Sequence, residues 1–144
     1  MQVLQILKSK ADDGVVTIAP GASVTQAAEL LSTRRIGAVI VSPDGKAVAG
    51  ILSERDIVRE LGRRGPGCLT NRVDDLMTRE IVGCKRDDSA DQVLERMTAG
   101  RFRHMPVMEA GQMIGLISIG DVVKARLSEL SMEKEALTGM IMGS

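Results

Sequence analysis

The chain has 144 residues, 19 Lys plus Arg against 19 Asp plus Glu, and a formal net charge of zero. That length suits one ordinary domain or two very small ones sharing a core. The balanced charge offers no overall field for nucleic acid or an anionic membrane. With one Phe and no Trp or Tyr, it also lacks the stacking platforms that single-stranded nucleic acid needs.

In chain order, VLQILK (3–8) reads as a short helix and VVTI (15–18) as a β-branched strand. SVTQAAELL (23–31) opens with Ser-x-x-Gln, a capping box. Its Val24, Ala27, Ala28 and Leu31 form one apolar helix face. GAVIV (37–41) reads as a strand, SPDG (42–45) as a turn, and GILS (50–53) as a third strand entering a helix. RRGPGCLTN (63–71) is a linker.

The same order then returns. VDDLMT (73–78) is a second helical lead-in and IVGC (81–84) a second short strand. SADQVLERM (89–97) is a second capped helix, facing inward with Ala90, Val93, Leu94 and Met97. HMPVM (104–108), the turn EAGQ (109–112) and GLIS (115–118) follow. Gly50 and Gly115, Ser53 and Ser118, and Asp56 and Asp121 are each 65 positions apart. The expected organisation is a first repeat at 1–62, a linker at 63–71, a second repeat at 72–127 and a helical extension at 128–144. Across 121–142, which reads as one long amphipathic helix, Val123, Leu127, Leu130, Leu137 and Ile141 recur at helical spacing, interrupted at Lys134. The apolar stripe is long enough either to cover its own repeat or to meet another copy.

The two stretches GILSERD (50–56) and GLISIGD (115–121) have two readings. Ser53 and Ser118 suit a helix N-cap, with Asp56 and Asp121 favoured at N3 by the helix dipole. A strand that turns into a helix N-terminus also offers amides to an anion, and a carboxylate can accept both hydroxyls of a ribose. Gly50 and Gly115 interrupt apolar strands, which marks close approach by a ligand or by another backbone. The residues alone leave cap and site both open.

Taken together, the repeat, DLMT (75–78), RHMPV (103–107) and the paired Gly-x-x-Ser-x-x-Asp motifs resemble a tandem pair of CBS domains, the modules named after cystathionine beta-synthase. The resemblance runs from about Val3 to about Leu127. It implies an α/β (α+β) fold of two β-α-β-β-α repeats packed with pseudo-two-fold symmetry, free-standing and without a catalytic domain. It further implies an adenine nucleotide, AMP, ADP, ATP or NAD, in the cleft between the repeats. Ser53, Arg55 and Asp56 in one repeat, and Ser118, Gly120 and Asp121 in the other, match the nucleotide-binding signature. Arg103 and His104 are candidate phosphate donors. Thr17, Ile18, Gly37 and Ala38, with Val82, Met105 and Pro106, match the strand positions that flank the adenine.

As the sole histidine, His104 can complete neither a metal cluster nor a Ser-His-Asp triad. The pattern therefore predicts a non-catalytic regulatory module that signals occupancy to a partner protein, without nucleic acid or membrane. A homodimer is expected, in the cytoplasm, where Cys68 and Cys84 stay reduced. The competing reading is an assembly module whose motifs are caps only.

Overall fold

The computed structural model describes residues 1–10 and 14–142. Residues 11–13 of the first expected repeat and 143–144 of the expected extension lie outside the described residues. The helices are α1 (Val3–Ser9), α2 (Val24–Arg34), α3 (Glu54–Arg64), α4 (Val73–Leu76), α5 (Ala90–Gly100) and α6 (Ile119–Met142). The strands are β1 (Thr17–Ile18), β2 (Ala38–Val41), β3 (Gly50–Ser53), β4 (His104–Glu109) and β5 (Gln112–Ser118). A 3-10 helix, Pro66–Thr70, occupies much of the linker. Among the described residues no helix is long and apolar enough to cross a membrane.

The helix starts form as their sequences dictate. Ser23 Oγ accepts the Gln26 N–H at 3.1 Å while Gln26 Oε1 accepts the Ser23 N–H at 2.8 Å. Ser89 and Gln92 repeat this arrangement at the same two distances. Arg35 and Arg101 close α2 and α5 in the left-handed region, with φ of 54° and 57°, each an αL end of a helix.

Two compact units result. One holds 14–82 with 109–114, and the other holds 1–13, 83–108 and 115–144. In the first unit β1 pairs parallel to β2, and β2 pairs antiparallel to β3. Val24, Ala27, Leu31, Val39, Val41 and Leu52 form its core together with Val73 and Leu76 of α4. β4 and β5 form a hairpin, of which 104–108 and 115–118 belong to the second unit. Its core joins Ala90, Val93, Met97, Met105, Val107 and Ile117 to Val3 and Ile6 of α1. Each short lead-in helix thus packs on the repeat that it does not precede. Backbone bonds fix the exchange. Val24 N–H donates to Asn71 O and Val73 N–H to Ala22 O, both at 2.8 Å. Val3 N–H donates to Asp88 O and Ala90 N–H to Met1 O, both at 2.9 Å. Burying Val3, Ile6, Val73 and Leu76 contributes about 1.5–3 kcal/mol each.

The strand expected at 81–84 shrinks to a bridge between Cys84 and Val107. Its cause is Pro106. In the first unit the Ile40 N–H donates to Val16 O at 3.2 Å and the Ser42 N–H to Ile18 O at 3.0 Å. The Met108 N–H likewise donates to Cys84 O at 2.8 Å. Pro106 stands where Ile40 would and has no N–H to give Val82, so the ladder stops one bond short.

Candidate functional site

Ser53 ends β3 and caps α3. Its Oγ accepts the Asp56 N–H at 3.3 Å, and Asp56 Oδ2 accepts the Ser53 N–H at 2.9 Å and its hydroxyl at 3.0 Å. Ser118 ends β5 in the same way. Its Oγ accepts the Asp121 N–H at 3.1 Å, and Asp121 Oδ2 accepts the Ser118 N–H at 2.8 Å. A capping box with aspartate at N3 is therefore built twice. Both serines act as caps, worth about 1 kcal/mol each.

Each carboxylate also meets one cation, from a different source. Asp56, only 8% exposed, accepts the Arg59 guanidinium one turn along its own helix. Asp121 meets Lys10, which follows α1: Lys10 Nζ lies 3.0 Å from Asp121 Oδ2 and donates to Leu116 O at 2.8 Å. Burial works to raise the Asp121 pKa. The Ser118 amide, the Lys10 ammonium and the Ser118 hydroxyl outweigh it and hold the carboxyl below its ordinary value of 3.8.

The fold gathers several expected residues around each motif. Ala38 is the register partner of Ser53, and Gly37 O accepts the Glu54 N–H at 2.9 Å. Arg55 projects from the first turn of α3 and is exposed. Gly37, Ala38, Ser53, Arg55 and Asp56 thus meet at one end of the first sheet. Arg103 O accepts the Ile119 N–H at 2.8 Å, which brings Arg103 and His104 beside Ser118, Gly120 and Asp121. Gly120 fills the place of Arg55, and a Cβ there would meet only Ser118 Oγ, at 3.6 Å. Side-chain positive charge therefore sits on the helix turn in one motif and on the neighbouring strand end in the other.

Thr17 and Ile18 lie farther along the first sheet, opposite Ile40 and Val41, and are half-buried. Met105 is fully buried in the apolar core, and Pro106 is also buried. Val82 is exposed and lies outside any strand. An open groove lined by Thr25, Ala28, Glu29, Ser32, Thr33 and Leu69 runs beside α2 and touches none of these positions.

Sequence reasoning missed both cations that pair with the aspartates. Arg59 was readable as an i, i+3 partner of Asp56. Lys10 was not, because nothing local places α1 against the second repeat. The strand glycines resolve in the same terms. A Cβ on Gly50 would run into Met77 Sδ and meet Thr78 O at 3.0 Å. One on Gly115 would meet Leu7 Cδ2 at 2.7 Å. Both glycines admit an exchanged lead-in segment, so close approach by protein accounts for them.

A family model described as the CBS domain matches residues 8–63 and 73–128. The crystal structure of a CBS-domain containing protein from Agrobacterium tumefaciens is 44% identical, with a TM-score of 0.83, over 88% of this chain and 99% of that one. A CBS domain-containing protein of Arabidopsis thaliana, described as mitochondrial, is 32% identical over 98% of this chain and 72% of its own length. The same fold recurs, at 21% identity and a TM-score of 0.76, in a CBS domain pair crystallised with 5-methylthioadenosine and S-adenosyl-L-methionine. That match covers 90% of this chain and 98% of the other. On the family match and on these motifs, this chain belongs to the CBS domain family and carries two of its domains.

Proposed function

We propose that the protein is a non-catalytic sensor that binds an adenine nucleotide, AMP, ADP, ATP or NAD, at its Ser-x-x-Asp motifs. Occupancy then passes to a partner protein. The observation that carries this reading is the same reciprocal Ser–Asp geometry at both strand-to-helix junctions. Each junction sets a carboxylate, a hydroxyl and the first amides of a helix within one turn. Asp56 and Asp121 would take the ribose hydroxyls, displacing part of the capping contact. The helix amides, with Ser53 and Arg55 or with Ser118, Arg103 and His104, would face phosphate. Val82 O, relieved of a ladder bond by Pro106, is an acceptor for the adenine amino group, while Val16 O is already engaged. The two motifs would then bind unequally. The adenosyl ligands held by a protein of this fold support the ligand class.

The bound state would be selected by its higher affinity, and the partner would read the resulting shift in population. In this reading the protein works as a homodimer. A reducing, cytoplasmic setting suits Cys68 and Cys84, both buried and unpaired. Thermal-shift and calorimetric titration with AMP, ATP and NAD tests the proposal. Binding is expected, with Asp56→Asn and Asp121→Asn each weakening it by about 1.5–3 kcal/mol, the worth of a hydrogen bond to a charged group. If none of the three shifts the wild-type melting temperature, the assembly-module reading replaces this one.

A further inference from the structure

Asp56 and Asp121 hold the same place in their motifs, but their cations leave them in different states. Asp56 has both oxygens engaged. Its Oδ2 accepts the Ser53 N–H and hydroxyl, and its Oδ1 accepts the Arg59 guanidinium. On Asp121 the load falls on one oxygen. Its Oδ2 accepts the Ser118 N–H at 2.8 Å and lies 3.0 Å from Lys10 Nζ. Among the described residues no hydrogen bond reaches its Oδ1. Lys10 Nζ also donates to Leu116 O at 2.8 Å. An ammonium has three N–H bonds to give, so one remains. The Lys10 and Asp121 side chains are 28% and 25% exposed, open enough for a ligand to reach both.

An open carboxylate oxygen beside an open ammonium N–H is an acceptor next to a donor. A hydroxyl both donates and accepts, so a vicinal diol matches the pair. One hydroxyl donates to Asp121 Oδ1 while its neighbour accepts from Lys10 Nζ, and both hydrogen bonds are charge-assisted. The first motif is built otherwise. The two lead-ins lie 70 positions apart, since Gln2 bridges to Ser89 as Arg72 bridges to Ser23. Glu80 therefore stands where Lys10 does and is exposed. A carboxylate offers acceptors only, so it cannot replace that ammonium. We infer that Lys10, together with Asp121, reads the ribose diol at the second motif and selects ribonucleotides over deoxyribonucleotides there. The inference rests on the nucleotide reading above and adds to it a residue that the Ser-x-x-Asp motif does not contain.

Calorimetric titration of the full chain with AMP and ATP, and with their 2′-deoxy and 3′-deoxy counterparts, tests this. An Asp56→Asn background lets the second motif be read alone. There each ribonucleotide is expected to bind about tenfold more tightly than either deoxy form, the worth of one hydrogen bond to a charged group. Adding Lys10→Met should weaken the ribonucleotide about tenfold and erase the preference against one of the two deoxy forms. Lys10→Arg, which keeps a cation and a donor, should retain most of the affinity and both preferences. Affinity lost in Lys10→Met with both preferences intact would mark a merely structural role and overturn the inference. So would Lys10→Met binding like its parent, and in either case the nucleotide reading stands. A wild type that binds neither AMP nor ATP also overturns it, and with NAD silent as well the nucleotide reading falls too.

Discussion

Lys10 and Asp121, from opposite ends of the chain, form an ion pair of 3.0 Å at the start of α6. The pair ties the exchanged lead-in segment to one of the two Ser–Asp motifs. Because the Asp121 pKa is depressed on folding, its contribution to stability is complete above the ordinary carboxylate value and is lost as pH falls through the folded one. Lys10→Met should raise the Asp121 pKa and move that loss to higher pH. Its cost near neutrality should be about 0.2–1 kcal/mol, as for other partly exposed pairs. Carboxyl NMR titration and urea unfolding at several acidic pH values read both effects.

The strand glycines should respond unequally to alanine. Gly50→Ala meets Met77 and a backbone carbonyl, whereas Gly115→Ala meets only the tip of Leu7. Gly50→Ala is expected to destabilise by about 1–3 kcal/mol and Gly115→Ala by less, because a flexible side-chain end yields more readily than backbone. Gly120→Ala, in ordinary contact, should be neutral or slightly stabilising in its helix. Chemical denaturation of the three variants ranks them.

The β4–β5 turn holds a correctable strain. Ala110 and Gly111 both have positive φ, 52° and 77°, the signature of a two-residue type I′ hairpin. Alanine is a poor residue there, and asparagine tolerates the conformation. Ala110→Asn should therefore stabilise the protein by about 0.5–1 kcal/mol, seen as a higher melting temperature.

Cys84 should be inert. Burial pushes its thiol up to about 12, aided by the Asp88 charge and opposed by Arg96. At pH 8 almost none is thiolate, the reactive form. Ellman's reagent should leave Cys84 untouched in the native protein and titrate it after denaturation. Rapid native reaction at Cys84 would contradict this packing.

Much of the fold was legible because it is local. The capping boxes at Ser23 and Ser89 form from residues three apart, whatever surrounds them. The inward faces of α2 and α5 follow from helical period, and the Ala110–Gly111 turn from its glycine. Pro106 carried a readable warning that a ladder bond would be missing, and the loss of a strand at 81–84 follows from it.

By itself the sequence determined that a unit of strands and helices occurs twice, and that Ser53 and Ser118 cap the helices that follow them. Those features depend on spacings within one turn of chain. Only the tertiary structure decided that α1 packs on the second repeat and α4 on the first, that Gly50 and Gly115 are small to admit Met77 and Leu7, and that Lys10 serves Asp121. Two nearly equivalent repeats present nearly equivalent docking surfaces. Periodicity cannot say which lead-in helix takes which surface, and long-range packing makes that choice.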